Sequence, residues 1–215
     1  MMVTLTVSLA ALALGGAASY QAMAGHSSRT DTALYEGSAL SGAAPEFTLT
    51  DQRGADVGLS DLRGRVVLLA FLDPNCTDIC PLTALHFRQV SEEMGTEGAQ
   101  VALLAVNANP EATSVDDVAA ASRRWGVDSL PAWHFLTGDA DELEAVRGAY
   151  GVLGGVPKAD MPGEVAHTPG VFVIDQSGER RWYVSVPENA FLDQDWPGPP
   201  LTEVLLTHAR QLLHE

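Results

Sequence analysis

Arg65-Val-Val-Leu-Leu-Ala-Phe-Leu-Asp-Pro-Asn-Cys76-Thr-Asp-Ile-Cys80-Pro81 is the stretch that decides the fold. From Arg65 to Leu72 it gives a continuous apolar run, which suits a central parallel strand buried on both faces. A loop then carries both cysteines. A helix follows Pro81, which fits a first helical position because its missing N–H would have no partner there. The cysteines thus leave the carboxyl end of a buried strand, where α/β sheets place their sites.

Apolar runs and helical patterns alternate on either side of this stretch, as in a layered α/β fold. Upstream, Phe47-Thr48-Leu49 begins a short strand that turns at Asp51-Gln52-Arg53-Gly54. Downstream, a strand is expected over Gln100 to Val106 and a helix over Ser114 to Trp125, with Asp116 and Asp117 favourably near its N-terminus. Trp133 to Leu136 gives a strand and Ala140 to Tyr150 a helix. Gly151 to Ala166 is an irregular insertion rich in Gly and Pro. Gly170 to Asp175 and Arg181 to Val186 form an antiparallel hairpin around Gln176-Ser177-Gly178, and Leu201 to Leu213 is an amphipathic closing helix. This order is thioredoxin-like, in the peroxiredoxin-like variant, with an N-terminal extension and an insertion before the final hairpin.

The bulk numbers narrow the function. The chain has 215 residues, 46% hydrophobic and 19% charged, enough for one domain plus an extra segment. Asp and Glu number 28 against 12 Lys and Arg, a net charge of −16 that repels nucleic acid and anionic lipid. Lys158 is the sole lysine, and composition alone assigns it no role. The two cysteines lie four residues apart, too close to staple distant parts of a secreted fold, so their use is local chemistry.

The first charged residue is Arg29. Residues 1–24 are apolar, end in the small-x-small sequence Ala22-Met23-Ala24, and are expected to be a signal peptide or a signal anchor. Residues 25–43, rich in Ser, Thr, Gly and Ala, are expected to be a flexible tether, and residues 44–215 the folded domain. Export from the cytoplasm follows, to the periplasm or exterior, free or held at the cytoplasmic membrane.

Cysteines four residues apart at a helix start can present both sulfurs on one side, since four residues make about one turn. The exposed amides of the helix N-terminus favour thiolates. Two thiolates make a soft ligand pair that selects Cu(I), and a neutral imidazole can complete the site. His167, in Val165-Ala166-His167-Thr168-Pro169-Gly170, is the candidate third ligand. The loop entering the following strand is expected to pack against the cysteine loop, with a cis Thr168–Pro169 bond. Asp78 is read as a helix cap. His86 is read as packed or solvated, His208 as a core-edge residue, His26 as at most a transient metal contact, and Met161 as a gap-filler with a soft thioether.

Cys76-x3-Cys80-Pro81, a histidine shortly before a Val-Ile-Asp strand, and the opening Ala44-Pro45-Glu46-Phe47-Thr48-Leu49 resemble the Sco/SenC proteins. The resemblance runs from about residue 43 to the end of the chain. It implies an exported, thioredoxin-like copper-binding protein that assists assembly of the binuclear copper centre of cytochrome c oxidase. Copper would be held by Cys76, Cys80 and His167, and the partner would be the copper-bearing oxidase subunit or another copper carrier. Thr77 departs from the family, where proline commonly follows the first cysteine, and Pro169 is more typical of thioredoxin and peroxiredoxin relatives. The alternative to a metallochaperone is a thiol–disulfide oxidoreductase cycling Cys76 and Cys80. A thiol peroxidase stands third: Thr77 lies three residues before Cys80, but Pro74 is one residue too close for the peroxiredoxin pattern.

Overall fold

The computed structural model describes residues 37–185 and 198–215. The apolar leader, His26 and Val186 lie outside the described residues. Strands are β1 (Ser38–Ala39), β2 (Thr48–Thr50), β3 (Asp56–Gly58), β4 (Val66–Leu72), β5 (Val101–Asn107), β6 (Trp133–Leu136), β7 (Val156–Pro157), β8 (Val165–Ala166), β9 (Val171–Ile174) and β10 (Arg180–Val184). Helices are α1 (Ile79–Met94), α2 (Val115–Arg124), α3 (Ala140–Ala149) and α4 (Leu201–Leu213).

Six strands make one sheet in the order β1-β10-β9-β4-β5-β6. β4, β5 and β6 run parallel, while β9 is antiparallel to both β4 and β10. The apolar run at β4 is central, and every residue of β4 and β5 is buried. Alternation divides them between two cores. Val66, Leu68, Ala70 and Leu72 join Phe87 of α1, Val118 of α2 and Leu205 of α4. Val67, Leu69 and Phe71 join Leu143 and Val146 of α3 and Leu49 of β2.

Local chemistry agrees with these elements. Ser114 with Asp117, and Asp139 with Glu142, form reciprocal capping boxes that fix the starts of α2 and α3. Trp133, fully buried, donates its indole N–H to Ser122 Oγ at 3.0 Å, so its one polar atom is satisfied.

Three sequence expectations differ from the structure. α1 begins at Ile79, so Pro81 is its third residue rather than its first; that position is still within the first turn, where an N–H has no intrahelical acceptor. The sheet reaches into the stretch expected to be a tether, because Ser38 and Ala39 pair with Tyr183 and Trp182 of β10. The Thr168–Pro169 bond is trans, as are all peptide bonds among the described residues. Gly170, which follows, has φ 145°. A Cβ on Gly170 would meet the Tyr183 ring at 2.4 Å, and the Tyr183 hydroxyl donates to the Pro169 carbonyl.

Leu205 is 0% exposed and joins α4 to the sheet. Leu205→Ala is expected to cost about 2–5 kcal/mol, the range for a buried leucine that leaves a cavity, measured as a lowered urea midpoint with unchanged slope.

Candidate metal and thiol site

The site is built by the loop from β4 to α1 and by the β7–β8 flap, which occupies the insertion. Asp73, 0% exposed, joins them. Its Oδ1 accepts the Asn75 N–H at 2.8 Å and the Asn109 side-chain N–H at 2.9 Å, and its Oδ2 accepts the Val165 N–H at 2.7 Å. Asn75 and Asn109 each also donate from Nδ2 to the Gly163 carbonyl at 2.9 Å. The cysteine loop is thereby stitched to the flap whose β8 strand ends one residue before His167.

Cys76 and Cys80 are free thiols, 5% and 0% exposed. Cys76 Sγ donates to Asp78 Oδ1 at 2.8 Å and accepts the Cys80 backbone N–H at 3.3 Å. Cys80 Sγ stands 3.4 Å from His167 Nε2. His167 Nδ1 is 3.4 Å from the Thr168 carbonyl, which can only accept, so Nδ1 carries the proton and Nε2 turns its lone pair toward Cys80. Burial pushes the Cys80 thiol well up, with the neighbouring Cys76 adding to the effect. Burial likewise lowers the His167 pKa, which keeps the imidazole neutral at pH 7.

Asp78 accepts the Ile79 N–H at 2.7 Å, the cap expected of it. Burial opposes its ionisation, but hydrogen bonds from Cys76, Lys158 and Ile79 outweigh this and hold it at about 2. Lys158 Nζ lies 2.9 Å from Asp78 Oδ2 and 3.2 Å from Glu164 Oε2. Burial works against its charge, yet these two carboxylates raise its pKa. Thr77 Oγ1 donates to the other Glu164 oxygen at 2.7 Å. A cleft of about 160 Å³ opens between Cys76, Asp78, Lys158, His167 and Pro169.

The structure sets Cys80 Sγ against His167 Nε2 and Cys76 Sγ against the Cys80 amide, and among the described residues it leaves the other histidines elsewhere. His86 Nδ1 bonds Thr202 Oγ1 at 2.7 Å, tying α1 to α4. His208 is buried and stacked on Trp182, with ring centroids 4.2 Å apart. Met161 Sδ is 3.7 Å from Lys158 Nζ. Sequence reasoning missed Asp73, Asn109, Glu164 and the placement of Lys158. One signal was available: Asp73-Pro74-Asn75 is a turn sequence at the end of a buried strand, where an Asp side chain bonds backbone two residues on.

Residues 37–190 match the SCO1/SenC family model. The chain is 26% identical over 136 residues to a SCO1 protein homologue of Bacillus subtilis, covering 62% of this chain and 68% of that one. It is 33% identical over 138 residues to a chloroplastic peroxiredoxin Q of Oryza sativa, covering 63% of this chain and 54% of the relative. Among solved structures, Bradyrhizobium japonicum ScoI with copper bound superposes with a TM-score of 0.60 at 22% identity, over 80% of this chain and 99% of that one. This last likeness is one of fold.

The two thiols differ in access: Cys76 lines the cleft, whereas Cys80 does not. Iodoacetamide is expected to label Cys76 ahead of Cys80 in the folded protein at pH 7.5, by at least tenfold in rate. Peptide mass spectrometry over a time course reads the order, and guanidinium should abolish the difference.

Proposed function

The chain belongs to the SCO1/SenC family, and on that footing we propose that it carries Cu(I) on Cys76, Cys80 and His167 and delivers it to a partner outside the cytoplasm. The partner is the copper-bearing subunit of cytochrome c oxidase or another copper carrier, since Sco proteins are cytochrome c oxidase assembly proteins. Copper is cargo here, taken up and given away.

The observation that carries the reading is the approach of Cys80 Sγ to His167 Nε2 at 3.4 Å, with Cys76 Sγ against the Cys80 amide. A first-row metal ion about 2.3 Å from sulfur and about 2.0 Å from nitrogen spans such a pair at roughly 100°. The neutral imidazole and two thiols are the soft donor set that Cu(I) favours. Both thiol protons leave as copper binds, so uptake is coupled to proton release. A three-coordinate ion leaves room for a donor from the partner to attack before any ligand departs. The related ScoI structure holds copper, which supports the same cargo here.

Residues 1–24 supply the export signal or membrane anchor in this reading. Among the described residues, no helix is long and apolar enough to cross a membrane.

Thiol–disulfide exchange is the second reading, favoured by two free thiols in one pocket and by the disulfide switch described in a related Sco protein. It uses the same two sulfurs and is compatible with copper delivery. Peroxidase chemistry fits less well despite the similarity to peroxiredoxin Q. Thr77 Oγ1 is committed to Glu164, and Cys80 is buried with its thiol pKa raised, where a peroxidatic cysteine needs an accessible thiolate.

Competitive Cu(I) titration of the reduced full chain tests the proposal. One copper per chain is expected, weakened at least tenfold by His167→Ala and by about a hundredfold or more by Cys76→Ser or Cys80→Ser, since removing a residue that binds the metal costs more than the roughly 10–100-fold lost with a residue behind it. Binding indifferent to His167 would overturn the three-ligand site, and weak binding by the unmodified chain would overturn the carrier.

A further inference from the structure

Beside the proposed copper ligands the fold gathers a second donor set. Cys76 Sγ and carboxylate oxygens of Asp78 and Glu164 all lie within 4.8 Å of one another. One sulfur with two carboxylates suits Zn(II), Co(II) or Mn(II) better than it suits Cu(I). The carboxylate side of this set is already held by a cation, the Lys158 ammonium, 2.9 Å from Asp78 Oδ2 and 3.2 Å from Glu164 Oε2. The Glu164 side chain is 6% exposed, and a carboxylate buried to that degree needs compensating partners, which Thr77 Oγ1 and the Lys158 ammonium supply. Backbone geometry fixes which partner it gets, because the Lys158 N–H donates to the Glu164 carbonyl at 2.9 Å across the flap.

We propose that Lys158 is a specificity-determining residue, whose ammonium fills the carboxylate arm of the site as a built-in cation and leaves a metal only the sulfur–imidazole arm. A hard or borderline divalent ion gains from the Asp78 and Glu164 oxygens only by displacing the ammonium. Cu(I) forgoes nothing, since thiolates and imidazole are the donors it prefers. The inference rests on the copper reading for what the site admits; what the site excludes is measured separately.

Cobalt(II) is the probe, because sulfur-to-cobalt charge-transfer absorption reports a Co–Cys bond directly. The reduced full chain is titrated with Co(II) and, in parallel, with Cu(I) under a competing chelator. Lys158→Gln is expected to bind Co(II) at least tenfold tighter than the unmodified chain, with a charge-transfer band, and to lower the Cu(I)-over-Co(II) preference by the same factor. Lys158→Arg keeps the charge and should behave like the unmodified chain. Glu164→Gln added to Lys158→Gln should remove the gain.

Because Lys158 is the sole lysine, acetylation of the folded unmodified chain neutralises this one side-chain amine without refolding a variant. Hydroxylamine then clears any thioester, and mass spectrometry confirms the product. The acetylated chain should show the same gain in Co(II) affinity. Co(II) affinity within twofold of the untreated chain after acetylation, an equal gain in Lys158→Arg, or a gain that survives Glu164→Gln would each overturn the proposal. Failure of the copper reading would appear elsewhere, as weak Cu(I) binding by the unmodified chain.

Discussion

The buried carboxylate of Asp73 is the constraint on which the site depends. It sits at the end of the central strand with no exposure to solvent and accepts N–H groups from Asn75, Asn109 and Val165. Hydrogen bonds to a charged group contribute about 1.5–3 kcal/mol each when well made, and a buried charge without them is strongly disfavoured. The three donors come from the cysteine loop, the segment after β5 and the flap, so one side chain sets the spacing of three chain segments. The His167 imidazole reaches Cys80 because β8 is held to that carboxylate.

The sheet itself was legible because it is a matter of periodicity. The runs at residues 66–72 and 101–106 are apolar throughout, and only a strand covered on both faces tolerates that. Trp133–Leu136 and Leu201–Leu213 were placed at their observed bounds for the same reason: a change of pattern, with Gly or Pro nearby, marks each limit. Cys76, Cys80 and His167 were picked out as candidates from spacing combined with fold order. Asp73, Glu164 and Lys158 were not, because their roles arise from tertiary pairing across 6 to 92 positions of sequence, which no local pattern records. Pro169 misled in a different way. Proline there suggested a cis bond, but the bond is trans, and the glycine that follows it has φ 145° with the Tyr183 ring in the space a side chain would need.

The electrostatics of the site are asymmetric. On one side Cys80 is buried and His167 half-buried, and loss of solvent disfavours charge on both. On the other, Asp78 and Glu164 share the single ammonium of Lys158. Cys76 lies between these halves, bonded to Asp78 on one flank and to the Cys80 amide on the other. Its sulfur is also the one that lines the cleft. A chain of net charge −16 therefore places its one lysine where two carboxylates converge beside a thiol.

Both cysteines belong to the same apolar cluster as Phe87, Trp133 and Val173. In domains where a metal ion takes the place of a core, losing the ion means losing the fold. Here the frame that positions the two thiols is made of packed side chains. A loop anchored in this way takes its shape from the hydrophobic core, so whatever loosens the core loosens the spacing of the two sulfurs as well.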